Sequence, residues 1–222
     1  MMQSFDRRAV LAGVVSVSTM RSLGTAFAQQ DAAPAAAAAP AFGQNEVIKR
    51  ARELANAPFD ATIPPLVRGL NVLTGYVDKA DAYARSHDMD PVTLIDARLA
   101  PDMMSLAGQI QRASDKAKNG VARLSGKGAP AFADTETTFA DLRHRIFKTI
   151  SHLNTVTPEE LLDGAASRVE LSFQSFSGVM SGEDYLTKIL LPDSYFHIAI
   201  VHAILRSRSL SVGKADYLGN IG

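Results

Sequence analysis

The stretch Pro65-Leu-Val-Arg-Gly-Leu-Asn-Val-Leu-Thr-Gly-Tyr-Val-Asp-Lys-Ala-Asp-Ala-Tyr-Ala84 sets Leu66, Leu70, Leu73, Val77, Ala80 and Ala84 at alternating steps of four and three. That spacing is one narrow apolar stripe on a helix, predicted to run to about His87. A stripe of this width must be covered by other helices, so the residues that follow decide what covers it. Asp90-Pro91 is a restart signal, with Asp as N-cap and Pro at the first helical position, and opens a short helix to about Leu99. Ala100-Pro101 interrupts it, because proline disfavours helical geometry in the preceding residue.

A second stripe follows through Met103, Leu106, Ile110, Ala113, Ala117, Val121 and Leu124, closed by Ser125-Gly126-Lys127-Gly128. The third helix is predicted to begin between Asp134 and Thr138, where Asp134, Thr135 and Thr137 offer capping oxygens. Its buried face is Phe139, Leu142, Ile146, Ile150 and Leu153. Pro158 opens a single turn to Leu162. The period then changes, as Val169, Leu171 and Phe173 alternate with Arg168, Glu170 and Ser172, which is strand spacing. Gln174-Ser175 is the predicted turn into a partner strand, Phe176 to Met180. A lone hairpin is marginal in water and must rest on the helices. Helix resumes from Gly182 to Leu191, Pro192 is predicted to break it, and Asp193 to cap a last helix from Ser194 to about Arg208. The fold class is therefore mainly all-α, an up-and-down four-helix bundle with a small β-hairpin before the last helices.

Upstream, Gln44 to Asn56 carries Val47, Ile48, Ala51, Leu54 and Ala55 and is predicted as a short helical extension, residues 44–57, that Pro58 stops. Residues 29–43 are an Ala/Pro-rich tether, expected to be disordered because Pro34 and Pro40 interrupt the alanines and no face of it can be buried. Residues 1–28 read as a signal peptide. Arg7-Arg8 precede a mildly apolar run from Ala9, and Ala26-Phe27-Ala28 supplies the small residues of a cleavage site between Ala28 and Gln29. The adjacent arginines point to twin-arginine export of a folded chain; the Ala9-Val10-Leu11 continuation leaves the unfolded-chain route open. The expected location is periplasmic or secreted. The apolar run is far shorter than the roughly 20 residues that cross a bilayer, so no stable membrane span is expected after cleavage.

Cleavage removes three of the 23 basic residues (Arg7, Arg8, Arg21) and one of the 23 acidic ones (Asp6), leaving 20 against 22 and a net charge of −2. Nucleic acid is excluded as a partner, because Arg206, Arg208 and Lys214 are too sparse to form a phosphate-gripping face. With no cysteine, thiolate metal sites, cysteine nucleophiles and disulfides are excluded as well. Neither a Gly-x-Ser-x-Gly elbow nor a phosphate-cradling glycine loop is present.

The blocks Asp96-Ala-Arg-Leu-Ala-Pro-Asp-Met103, Asp134-Thr-Glu-Thr-Thr-Phe139, Asp184-Tyr-Leu186, Tyr195-Phe-His197, Ala203-Ile-Leu-Arg206 and Gly213-Lys-Ala-Asp-Tyr-Leu-Gly219 resemble the DUF1993 family, in order, from about Asp60 to Gly219. The resemblance implies a DinB-like four-helix bundle over residues 58–222, in a superfamily where some members hold a divalent metal with histidines and some are thiol transferases. The family itself has no assigned reaction. Such metal centres use one histidine from the second helix and two, four apart, from a later one. This chain departs from that pattern: no histidine lies between Pro91 and Leu124, and His197 and His202 are five apart, about 140° around a helix.

His197 is the residue of interest, since Asp193 lies one turn before it and Asp115 and Gln111 share one face of the second long helix. The candidate pocket is His197, Asp115 and Gln111 with Arg98 or Asp102 at its mouth, and His197 with Asp115 is the candidate metal pair. The bland alternative is a core histidine satisfied by one buried carboxylate. His144 and His152 fall on the outer face of the third helix and are expected to be solvated, His87 is expected to cap its helix, and Met103-Met104 to fill core. Two functions are compatible with these residues. One is an exported bundle that binds a small ligand or a protein partner; the other is a divalent-metal-dependent enzyme of transferase or hydrolase type using His197 and nearby carboxylates. The cofactor is undetermined, and a homodimer is compatible with a bundle of this kind although no exposed stripe marks an interface. Material recovered outside the cytoplasm is expected to begin at Gln29 by intact mass; a full-length chain confined to the cytosol would refute the leader.

Overall fold

Each predicted stripe closes on the others. In the computed structural model, which describes residues 44–173 and 176–219, every residue of the first stripe is buried, as are Leu106, Ile110, Ala113, Ala117, Val121 and Leu124 of the second. Four long helices, α1 (Gln44–Ser86), α3 (Leu106–Ser125), α4 (Phe139–Leu153) and α7 (Leu191–Ser207), surround this core. α3 packs mainly on α7 and α4, and α1 on α4, α7 and the shorter helix that follows α4. Between them lie α2 (Val92–Ile95), α5 (Pro158–Ala166), the antiparallel hairpin β1 (Arg168–Phe173) and β2 (Phe176–Ser181), and α6 (Gly182–Tyr185); α8 (Lys214–Leu218) ends the described chain. The leader, the Ala28–Gln29 cleavage site, the tether and the Gln174-Ser175 turn lie outside the described residues.

Local signals account for most boundaries. Gly126 ends α3 at φ +71°, a conformation glycine adopts without steric cost. Val92 N–H donates to Asp90 Oδ1 at 3.0 Å, so the Asp-Pro restart operates, but the helix ends at Ile95 rather than near Leu99. Thr138, not Asp134, Thr135 or Thr137, caps α4: its Oγ1 accepts from Asp141 N–H at 3.1 Å, and the Asp141 carboxylate accepts from Thr138 N–H at 3.0 Å. A second capping box, Thr157 with Glu160, extends α5 to Ala166 instead of the single turn expected.

The proline stops did not hold. α1 runs 43 residues through Pro58, Pro64 and Pro65. A proline deprives the carbonyl four residues earlier of its donor, and here those residues are Leu54, Asp60 and Ala61, all exposed, where water can bond the freed oxygen. Burial of Ile63, Leu66 and Leu70 on the opposite side, about 1.5–3 kcal/mol each, offsets what remains of the proline cost, which solvation of the freed carbonyls brings below the roughly 3 kcal/mol of an interior proline. Pro192 likewise sits inside continuous helix. A π-helical turn over Leu186–Leu190, closed by Leu191 N–H on Leu186 O, re-registers the ladder just before it. Asp193 is consequently not a cap but lies in the first turn of α7.

The segment Gly182–Ser207 is long and apolar enough to cross a membrane by length and composition. Its Ile198, Val201, Ile204 and Leu205 are buried against the other helices. The apolar residues Val47, Ile48 and Leu54 at the start of α1 are exposed.

The hairpin rests on the helices through Val169 and Leu171, both buried. Its approach is set by two glycines: a Cβ on Gly164 would stand 1.8 Å from Leu124 O, and one on Gly182 would stand 2.0 Å from Gly164 O. Backbone is therefore stacked on backbone where α3 ends, α5 passes and α6 begins. Gly164→Ala is expected to cost about 3 kcal/mol in urea unfolding, because no flexible side chain can yield. Gly75→Ala, at a helical position where an added Cβ meets nothing within 4 Å, should instead raise stability by up to about 1 kcal/mol. Equal effects of the two would contradict this packing.

Candidate functional site

His197 projects from the buried face of α7 and is 8% exposed. Its Nδ1 lies 2.7 Å from Gln109 Oε1, and Gln109 Nε2 donates to Met104 O at 3.4 Å, so the amide oxygen accepts from Nδ1–H. The other ring nitrogen is 3.4 Å from Asp193 Oδ1, while Asp193 Oδ2 meets Lys116 Nζ at 2.7 Å. The hydrogen bond from His197, aided by Lys116 and opposed by burial, holds the Asp193 carboxyl below its ordinary range.

Asp115 and Gln111 do not join this group. Asp115 pairs with Arg145 and Lys118, and Gln111 Nε2 donates to Glu136 Oε2 at 2.9 Å. Arg98 and Asp102 are exposed on the loop before α3, and the Arg98 guanidinium donates to Met103 O. The anticipated pocket of His197, Asp115 and Gln111 is thus split between two sides of α3. Among the described residues no group of three His, Cys, Asp or Glu side chains could hold a metal ion. The residues present do not fit a DinB-type metal centre, since His197 has both nitrogens engaged and Asp115 is committed to cations.

The group holding Asp115 is the structure's main polar feature. Arg145 is fully buried, and its guanidinium meets Asp115 Oδ1 at 2.8 Å, Glu136 Oε1 at 2.9 Å, Asp134 Oδ1 at 3.0 Å and Ala133 O at 3.1 Å. Phe132 lies against it, with the guanidinium carbon 5.6 Å from the ring centre. Burial pushes the Glu136 carboxyl up, but hydrogen bonds from Arg145 and Gln111 outweigh it and leave the group below its ordinary value. A signal existed in the sequence: Arg145 is three residues after Leu142 and four before Thr149, on the buried face of α4.

Other histidines are distributed differently. His87 caps α1 as expected, its Nδ1 2.9 Å from Tyr83 O. His144 is exposed, but His152 is half-buried and its Nε2 has no partner among the described residues; burial, then Lys118 and Lys127, push its pKa down. Met104 is exposed rather than core.

His202 leads to a site that sequence reasoning missed. Its Nδ1 is 2.8 Å from Tyr76 Oη, and burial, with Asp216 and Tyr217 nearby, pushes the Tyr76 phenol above its ordinary value. The phenol therefore stays protonated and hydrogen-bonded to the ring. Tyr76 belongs to a face of α1 that also carries Arg68, Val72, Gly75 and Lys79, opposite Ala215 and Asp216 of α8. Between them is a cleft of about 680 Å³, within the range of small-ligand sites. α8 is held in place by Lys79 Nζ to Asp216 Oδ1 at 2.6 Å, by Gly213 N–H to Asp216 Oδ2 at 2.8 Å, and by Arg68 to Leu218 O at 3.3 Å. Arg68 also donates to Tyr195 Oη at 3.1 Å, and that hydroxyl donates to Pro65 O at 2.8 Å. The site brings together positions far apart in the chain, and no local motif announces it.

Removing the guanidinium takes the cation from the half-buried Glu136, while Asp115 keeps Lys118 and the exposed Asp134 keeps Arg112, so Arg145→Gln is expected to lower stability at pH 7 by about 3 kcal/mol in urea titrations. Glu136 has a folded pKa below its unfolded value of 4.5, so its contribution is present above 4.5 and fades as pH falls through the folded value. The gap between parent and Arg145→Gln should therefore narrow below about pH 4.5; a gap constant with pH would contradict the network.

Residues 59–218 match the model of a family described as Domain of unknown function (DUF1993). No curated protein matches the chain. Among solved structures, the crystal structure of a DinB family member protein from Shewanella denitrificans is similar at 34% identity and a TM-score of 0.70, over 76% of this chain and 95% of that one. A family model spanning most of the helical bundle, with a solved relative of the same fold, places this chain in the DUF1993 family.

Proposed function

We propose that this protein is an exported helical-bundle protein that binds a small organic molecule in the cleft between α1 and α8. One observation carries the reading: a cleft of about 680 Å³ in which an apolar wall (Val67, Val72, Ala215) adjoins a few fixed polar groups, Arg68 and the Lys79–Asp216 pair. Fixed donors beside apolar surface orient a ligand, and desolvation of its apolar body supplies affinity. Export is supported by the arginine pair and the cleavage-site residues of the leader. His197 is read as structural, a tie between α7 and α3 through Gln109, and the metal-dependent alternative has no favouring geometry among the described residues.

A thermal-shift screen of small organic compounds tests the reading, because a ligand that binds only the native state raises the midpoint. Hits are expected, and they should lose their shift in Gly75→Leu, which extends a side chain into the cleft from a position that has room. A screen with no hits, or hits unchanged in that variant, would overturn it.

A further inference from the structure

The charges facing the cleft are unequal. Lys79 and Asp216 neutralise each other at 2.6 Å. Arg68 has only neutral partners among the described residues: Leu218 O, Tyr195 Oη and the Tyr195 ring, whose centre is 5.9 Å from the guanidinium carbon. Two of its five N–H donors are occupied in these bonds, so the planar fork keeps donors for a further acceptor. Tyr76 and His202 are hydrogen-bonded to each other at 2.8 Å.

We infer that the ligand is a monoanionic carboxylic acid with an apolar body, its carboxylate held by Arg68 and its body lying along Val67, Val72 and Ala215. This deepens, and rests on, the small-ligand reading of the same cleft. A carboxylate matches the guanidinium fork in geometry and supplies the single negative charge that Arg68 does not meet among the described residues. A dianionic phosphate would leave one charge uncompensated beside largely apolar surface, and a cation would meet an arginine.

The full chain is titrated by calorimetry with butyrate, hexanoate and 3-phenylpropanoate and, in parallel, with the amides of the same three acids. At least one acid is expected to bind about tenfold or more tightly than its amide. Arg68→Gln should erase that preference, its acid affinity falling by about tenfold or more toward that of the amide, with an unchanged circular dichroism spectrum showing that the variant is folded, and Arg68→Lys should be intermediate because it keeps charge but not the fork. Amides binding as tightly as acids, no acid binding at all, or an acid preference surviving in Arg68→Gln would overturn the inference. Neutral hits in the thermal-shift screen that vanish in Gly75→Leu, without any acid preference, would sink this inference alone; a screen empty of hits would sink the ligand reading with it.

Discussion

A guanidinium with no access to water must be matched by anions inside the protein, and Arg145 imposes that demand on everything around it. Three carboxylates answer it, from α3 (Asp115) and from the segment before α4 (Asp134, Glu136). The connection between α3 and α4 is thereby tied to both helices, with Phe132 laid over the charges. Replacing such a group by apolar packing is often neutral, whereas stranding one partner is costly, so the network acts more on the geometry of this half of the bundle than on its net stability.

The opposite half is organised differently. Around α1, α7 and α8 the polar contacts are single and local: Tyr76 to His202, Arg68 to Tyr195, Lys79 to Asp216. Arg68, Lys79 and Asp216 border a cleft, and the buried Tyr76 lies behind it, bonded to His202. A buried guanidinium matched by three carboxylates on one side, and on the other an open cleft with an arginine whose partners among the described residues are neutral, make the second side the place for recognition. His197 belongs with the first kind, since both its nitrogens serve contacts within the fold.

Much of the architecture was legible from spacing. The stripes from Leu66 to Ala84, Leu106 to Leu124 and Phe139 to Leu153 are core, and the alternation at Val169 and Leu171 is a strand, because burial on one face leaves its period in the residues. The prolines misled. Local stereochemistry alone makes Pro58 and Pro192 stops, but the cost of a missing N–H is set by whether water or a π-helical turn can absorb it. The candidate site was less legible. Asp115 and Gln111 do share a face of α3, yet their partners come from the α3–α4 connection and α4, and His197 found Gln109 instead.

Apolar period and capping residues by themselves determined a helical bundle with a hairpin, since both are local properties of the chain. Which charged groups meet was decided only by tertiary packing. Arg145 finds its carboxylates, and Arg68 and Tyr76 come to face Ala215 and Asp216, across separations of up to about 150 residues that no period encodes. Electrostatic pairing depends on distance in space, and the burial of apolar faces set those distances first.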